Sequence, residues 1–360
     1  MKIAVVGAGI FGITSAIKLS ERHNITLFEM SSGILNSASG CNQYRLHRGY
    51  HYPRSNEMIQ STQEFEREFD GCIVNHGVDR YYAIASNNSL TDKEQYLTFL
   101  ETSKLDYEII QNLDLLKCEN LDLIVKVHEN SFDIAQLYLI CNEKLRKCNI
   151  DVKLNTQFTK QMMSEFDVVI NCTYSNLNFL LSEDDHIDYQ FELCEKPVIS
   201  VGREWKGKSA VIMDGEFCCI DPHGFNEYYH IMGHVKEAIH ERQVGKFFTV
   251  PSEIRPYLNC GITKGYTNSN HKQIINASRD FFNFNGSPTI PTTEKRPNFA
   301  SDNVYYAGSM FTVRTVLPNR EQDDGRPSYI TKHNNQLYSI FSGKIATCVH
   351  ISKELNNMLK

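Results

Sequence analysis

An uninterrupted apolar run, Ile3 to Val6, opens the chain and has the character of a parallel strand buried on both faces. Gly7, Gly9 and Gly12 follow at GxGxxG spacing, and Ile13, Ala16, Ile17 and Leu19 then recur at helical intervals. A second strand, Ile25 to Phe28, ends in Glu29. Further along, VDRYYAIASN predicts a strand, TDKEQYLTFLETSKL a surface helix, DIAQLYLICNEKLRKCN a helix, IDVKLN a short strand and FDVVINCTYSN another buried strand. The β-forming runs PVISVGREW, KSAVIMDGEFCCIDPH and EYYHIMGHV, bounded by turn residues, predict an antiparallel sheet. A helix around HKQIINASRDFFNF leads to DNVYYAGS, a sheet strand ending at Gly308. The closing stretch runs from a short strand through Ser342-Gly343-Lys344 into a helix carrying Ile345, Val349 and Ile351.

The order helix, strand, strand after residue 130 returns the chain to the sheet begun by Ile3 to Val6, so the first domain is discontinuous. We expect an α/β protein, α+β overall, with a Rossmann-type nucleotide-binding domain from residues 1–80, 130–185 and 300–360. An antiparallel-sheet substrate domain from residues 81–129 and 186–299 interrupts it.

The glycine turn carries the first chemistry. Gly7 permits the tight turn, Gly9 lets a diphosphate approach the backbone, Gly12 allows close helix packing, and the helix start supplies free N–H groups. Glu29 falls where a carboxylate accepts hydrogen bonds from a ribose. The fingerprint serves NAD and FAD alike. Composition narrows the partners: with a formal charge of −6 over 360 residues and no basic block, nucleic-acid binding is not expected. Eleven scattered cysteines without a CxxC pair suit reduced thiols and no metal site. With a strand at the first residues and no apolar run near the roughly 20 residues of a membrane span, a soluble, cytoplasmic protein without an integral membrane segment is expected.

Asn42 to Ser55, NQYRLHRGYHYPRS, packs three arginines, two histidines and three tyrosines together. A solvent-facing element rarely carries so many aromatics, and a core rarely tolerates so many cations, so the run reads as the lining of a polar site. With its neighbours it resembles the family of FAD-dependent oxidoreductases that includes D-amino-acid and glycine oxidases. Within that family, SASGCNQYRLHRGYHYPRS is similar to the His-x-Gly-aromatic segments of L-2-hydroxyglutarate dehydrogenase and FAD-dependent glycerol-3-phosphate dehydrogenase. VRTVLPNREQDDGRPS resembles the Gly-Val-Arg-Pro-Leu element of the glycerol-phosphate enzymes, and IFSGKIATC their Gly-Gly-Lys helix start. Those enzymes carry Arg in place of His51 and Gly in place of Arg48.

The resemblance implies FAD as cofactor, held by Gly7, Gly9, Gly12, Glu29, Ser39, Asn42, Gln43, Arg45, Thr173, Gly308, Gly343 and Lys344. It implies that His47 to Tyr52 pass beside the flavin ring and that Tyr50, Tyr52, Arg314 and Arg326 line a small-molecule substrate site. His51 or His47 would take a proton while a hydride passes to flavin N5, with Arg314 holding an anionic group and Lys344 beside the flavin. Oxidation of a CH–OH carbon is the implied activity. Amine oxidation, a flavin protein acting in a biosynthetic complex without turnover, and nicotinamide dependence are the alternatives, and electron acceptor and oligomeric state stay open. Among other residues, His230 with His234 lack a third metal ligand, Arg320 suits a solvated turn, and Cys218, Cys219 and Trp205 suit packing.

Overall fold

The computed structural model describes residues 1–54, 59–74, 77–284, 304–319 and 326–360. Lys2–Val6 lies inside a six-stranded sheet, parallel to Val168–Asn171 on one side and to Asn24–Phe28 on the other. Asp151–Lys153 extends the sheet beyond Asn24–Phe28, and Leu337–Phe341 extends it beyond Val168–Asn171. Tyr329–Lys332 closes that edge as an antiparallel strand. Helix Ile10–Leu19 crosses between the first two strands and packs on helix Cys348–Met358, where the Thr14 hydroxyl reaches the Cys348 carbonyl at 3.3 Å. Ile13, Ala16, Leu19, Ile351 and Leu355 are all buried there.

A nine-stranded sheet carries the rest of the β structure. Tyr189–Ser200 pairs antiparallel with Tyr305–Val316 along its length, and also with Ile239–Gly245 and Asn226–His234. Cys218–His223, Lys208–Met213, Asp79–Ala85, Leu121–Val127 and Tyr107–Ile109 continue the sheet, with Lys208–Met213 and Asp79–Ala85 the parallel pair. A small third sheet joins Arg45–Leu46 and Ile73–Val74 to Asn130–Phe132. This mixture of parallel and antiparallel sheets is the expected fold class.

Several elements differ from expectation in extent. The strand expected to end at Gly308 runs on to Val316, because Tyr189–Ser200 pairs with it along its length, with one register shift at Val198/Ile199. That partner begins before Pro197: buried polar Gln190, Glu192 and Glu195 hide its pattern in the sequence. Strand Ile239–Gly245, of sequence IHERQVG, and helix Ile59–Glu68, of sequence IQSTQEFERE, were not anticipated, since both are mostly polar. The helix predicted in TDKEQYLTFLETSKL spans Lys93–Thr102 and starts on a capping box, with Asp92 accepting the Gln95 N–H and Gln95 accepting the Asp92 N–H. Arg320 lies outside the described residues.

Candidate active site

At the first turn Gly7 has φ +100°, and a Cβ there would stand 2.7 Å from the Cys172 carbonyl oxygen. A Cβ on Gly12 would fall 1.8 Å from the Gly7 carbonyl oxygen, so the helix rests directly on the turn. Gly9 caps the helix, 3.3 Å in Cβ terms from Ser39 Oγ, which accepts the Ile10 N–H at 3.1 Å. Glu29 accepts the N–H groups of Ala8 and Ser31, each at 2.8 Å, which fixes its carboxylate beside the turn. Asn42 accepts the Tyr44 N–H at 2.6 Å and donates to the Ser39 carbonyl at 2.9 Å, shaping the loop that carries Ser39. Thr173, at the carboxyl end of the neighbouring strand, bonds Asn171 Oδ1 at 2.7 Å and lies against Gly7. Gly7, Gly9, Gly12, Glu29, Ser39 and Thr173 thus gather at one sheet end, where open α/β sheets bind ligands.

A second group forms where the His47–Tyr52 segment meets Lys344. The His47 and His51 rings are 5.0 Å apart, Tyr52 stands 5.6 Å from His47 and 5.0 Å from His51, and Lys344 Nζ lies 4.5 Å from the Tyr52 ring centre. His47 Nδ1, His51 Nδ1 and Tyr52 Oη are buried without a hydrogen-bond partner. Burial, reinforced by Lys344, holds both imidazoles well below the usual histidine range, so both are neutral near pH 7. Burial, and then Arg45, pull the Lys344 ammonium down to about 7. For a base whose proton affinity falls on folding, the cofactor-free protein should gain stability as pH rises from about 7 toward the ordinary lysine value, the penalty being complete below 7. Urea unfolding across that window should show the slope, and Lys344→Met should flatten it.

Several expected site residues have other partners. Arg45 is 5% exposed, and its guanidinium is engaged by Asp221, by Ser209 at 3.2 Å and by Tyr82 at 3.3 Å, with Glu129 at 3.7 Å. Those charged partners, and not a diphosphate, explain a buried cation there. Tyr50 donates to the Asp106 carbonyl at 2.6 Å and packs on Tyr82, inside the core under the nine-stranded sheet. Tyr52, two residues on, is the tyrosine of the histidine group. Gly308 has φ +140°, and a Cβ there would stand 2.6 Å from the Thr263 carbonyl oxygen and 2.8 Å from Ile262 Cγ2, so its demand is close packing against that segment. Gly343 abuts the Arg326 carbonyl, and its N–H is taken by Ser328 Oγ at 2.8 Å. Gln43 Nε2 donates to Cys219 Sγ at 3.0 Å, while its Oε1 is buried and unpartnered.

Arg314 sits opposite Glu192 in the antiparallel register and bonds its Oε2 through Nε at 2.6 Å, while Arg242 Nε reaches the other carboxylate oxygen at 3.1 Å. Burial works to raise the Glu192 carboxyl, but Arg314, with help from the Gln190 hydrogen bond and Arg326, holds it below the usual range. Arg326 acts electrostatically on His51, Tyr174 and Glu192 and so joins the two groups. His230 Nε2 meets the Lys208 carbonyl at 3.1 Å while its Nδ1 is buried without a partner, and His234 Nδ1 accepts the N–H groups of Lys236 and Glu237.

Glu129, Asp221, Arg80 and Glu192 were not anticipated. Arg80 in DRYYAIA and Asp221 in CCIDPH carried a signal, a charge inside an apolar strand; Glu129, just after a strand, carried none.

Residues 2–112 match the family described as FAD dependent oxidoreductase. The FAD-dependent monooxygenase kojA of Aspergillus flavus is 27% identical over 254 residues, which are 62% of this chain and 58% of that protein's length. Glycine oxidase from Geobacillus kaustophilus superposes with a TM-score of 0.68 at 13% identity, covering 99% of this chain and 94% of that one. L-alpha-glycerophosphate oxidase from Mycoplasma pneumoniae, solved with FAD bound, superposes with a TM-score of 0.67 at 12% identity, covering 99% and 94%.

Proposed function

We propose, from the match of residues 2–112 to the FAD dependent oxidoreductase family, that this chain uses FAD to oxidise the CH–OH carbon of a small, anionic hydroxy acid or polyol-type substrate. The observation that carries this reading is the pair of neutral imidazoles beside Lys344, with three buried polar atoms left unpartnered in one group of touching rings. Buried polar atoms call for partners, and a heterocyclic ring or a substrate hydroxyl can supply them. FAD fits the residues present: the Gly7–Gly12 turn, Ser39, Glu29 and Thr173 would hold its adenosine diphosphate end, and Lys344 would lie at its ring. When bound, FAD supplies the acceptor for the two electrons leaving the substrate carbon.

The chain's own groups do the remainder. A neutral imidazole accepts the substrate hydroxyl proton, a contribution of about 10²–10⁴-fold when well placed. Because both histidines titrate below their ordinary range, activity should persist as pH falls through 6.5. Arg314 and Arg326 would orient the anionic group. Arg314→Ala should raise KM about tenfold more for an anionic substrate than for a neutral one; an equal rise for both would remove its assigned role.

The reading is tested by the visible spectrum of the purified protein, followed anaerobically as lactate, malate, 2-hydroxyglutarate, glycerol 3-phosphate and a set of amino acids are added in turn. Bleaching of the flavin bands by a hydroxyl compound supports it. Bleaching by amino acids alone would establish amine oxidation instead, and readmitted oxygen then tells an oxidase from an enzyme with another acceptor.

A further inference from the structure

Behind the His47 ring lies a carboxylate that the proposed reaction has not yet used. The Glu129 side chain is wholly buried. Its Oε1 accepts the Arg48 N–H at 2.8 Å, and its Oε2 accepts the Tyr82 hydroxyl at 2.7 Å and lies 3.7 Å from Arg45 Nε. Oε1 also stands 3.9 Å from His47 Nδ1, the nitrogen left without a hydrogen bond. The His47 backbone is pinned from the other side, where its carbonyl accepts the Thr62 hydroxyl at 2.7 Å. Among the described residues, the charged groups that act on His51 are Lys344, Arg45 and Arg326, all cations.

We infer that His47 is the base of the pair and that Glu129 is its positioning residue, holding the Nδ1–H tautomer so that Nε2 is left to take the substrate proton. This rests on the proposed CH–OH oxidation. The O–H bond breaks and its proton passes to Nε2, the O–H electron pair forms the new C=O bond, and the C–H pair leaves with its proton as hydride to the bound FAD. The imidazolium so formed faces Lys344, Arg45 and Arg80, which disfavour it, and also His51. Glu129 supplies the opposing charge. Burial raises the proton affinity of Glu129, while Arg45, Tyr82 and the Arg48 N–H act to keep it ionised. The Nδ1 to Oε1 separation exceeds a hydrogen bond, as pairs of this kind do before substrate draws them together. A carboxylate behind an imidazole sets which nitrogen carries the proton and favours the charged form.

The first measurement needs no change at Glu129. In FAD-loaded wild-type protein labelled with ¹⁵N in its histidine rings, the His47 signal, assigned by its loss in His47→Gln, should be that of the Nδ1–H tautomer. An Nε2–H tautomer would overturn the inference. The second uses Glu129→Gln with whichever hydroxyl compound of the panel bleaches the wild-type flavin, observed from pH 4.5 to 9. Flavin reduction at saturating substrate should slow about 10²-fold with KM nearly unchanged. The acid limb should move to lower pH, because the imidazolium has lost its counter-charge. A wild-type rate and limb in that variant would overturn the inference. Should no hydroxyl compound reduce the wild-type flavin, the proposed oxidation fails, while the tautomer still decides whether Glu129 directs His47.

Discussion

Replacing Asp221 by asparagine is expected to lower stability by about 3–5 kcal/mol, the range found when one partner of a buried ion pair is removed. Asp221 is fully buried, and its Oδ1 accepts from Arg45 and, at 2.7 Å, from the Ser209 hydroxyl. Arg80, 2% exposed, has one bond to Ser131 at 2.8 Å and two guanidinium nitrogens unpartnered, so it too depends on the charge of Asp221. Two arginines face two carboxylates here, and removing one negative charge leaves a buried excess of positive charge. Asparagine keeps the shape, so the loss isolates the charge. Ser209→Ala, which removes a neutral donor, should cost only about 1 kcal/mol. Urea unfolding of the FAD-saturated proteins measures both, and equal losses would mean that water reaches the cluster.

Gly12→Ala is expected to yield protein without FAD. An added Cβ would lie 1.8 Å from the Gly7 carbonyl oxygen, a backbone atom that no side-chain rotation can move. The helix must back away from the turn, and overpacking of this kind costs about 1–3 kcal/mol before any ligand is considered. The same shift removes the helix start from the place where a diphosphate would meet it. Absorbance at the flavin bands after purification, compared with that of the wild type, reads the result. Gly9→Ala makes a graded comparison: its Cβ would meet Ser39 Oγ at 3.3 Å, a side-chain atom able to yield, so weaker retention and not loss is expected.

The parts of this protein legible in the sequence are those set by neighbours along the chain. The turn from Gly7 to Gly12 and the helix in TDKEQYLTFLETSKL are local patterns, and both form where the residues place them. Arg45 shows the opposite case. A cation in an aromatic run looks like a ligand contact until its partner is seen, and that partner, Asp221, lies 176 positions away. Tyr50 and Tyr52 are equivalent by composition, yet one hydroxyl enters a core and the other remains unpartnered beside the histidines. Arg314 was named only as a substrate-site arginine implied by the resemblance, and not as a strand residue facing Glu192, because register across Tyr189–Ser200 cannot be read from either strand alone.

The order of strands in the six-stranded sheet bears on how a cell makes this protein. Lys2–Val6 leaves the ribosome well before one of its neighbours, Val168–Asn171, which comes more than 160 residues later, and the strand beyond that is Leu337–Phe341. Translation at roughly 5–20 residues per second leaves an apolar strand waiting for many seconds without its lateral partner. Nascent chains should therefore be held by chaperones until Leu337–Phe341 has been made, and FAD loading should follow that point. A fragment ending near residue 112 would carry the glycine turn but not the strand that covers it, and should aggregate where the full chain stays in solution.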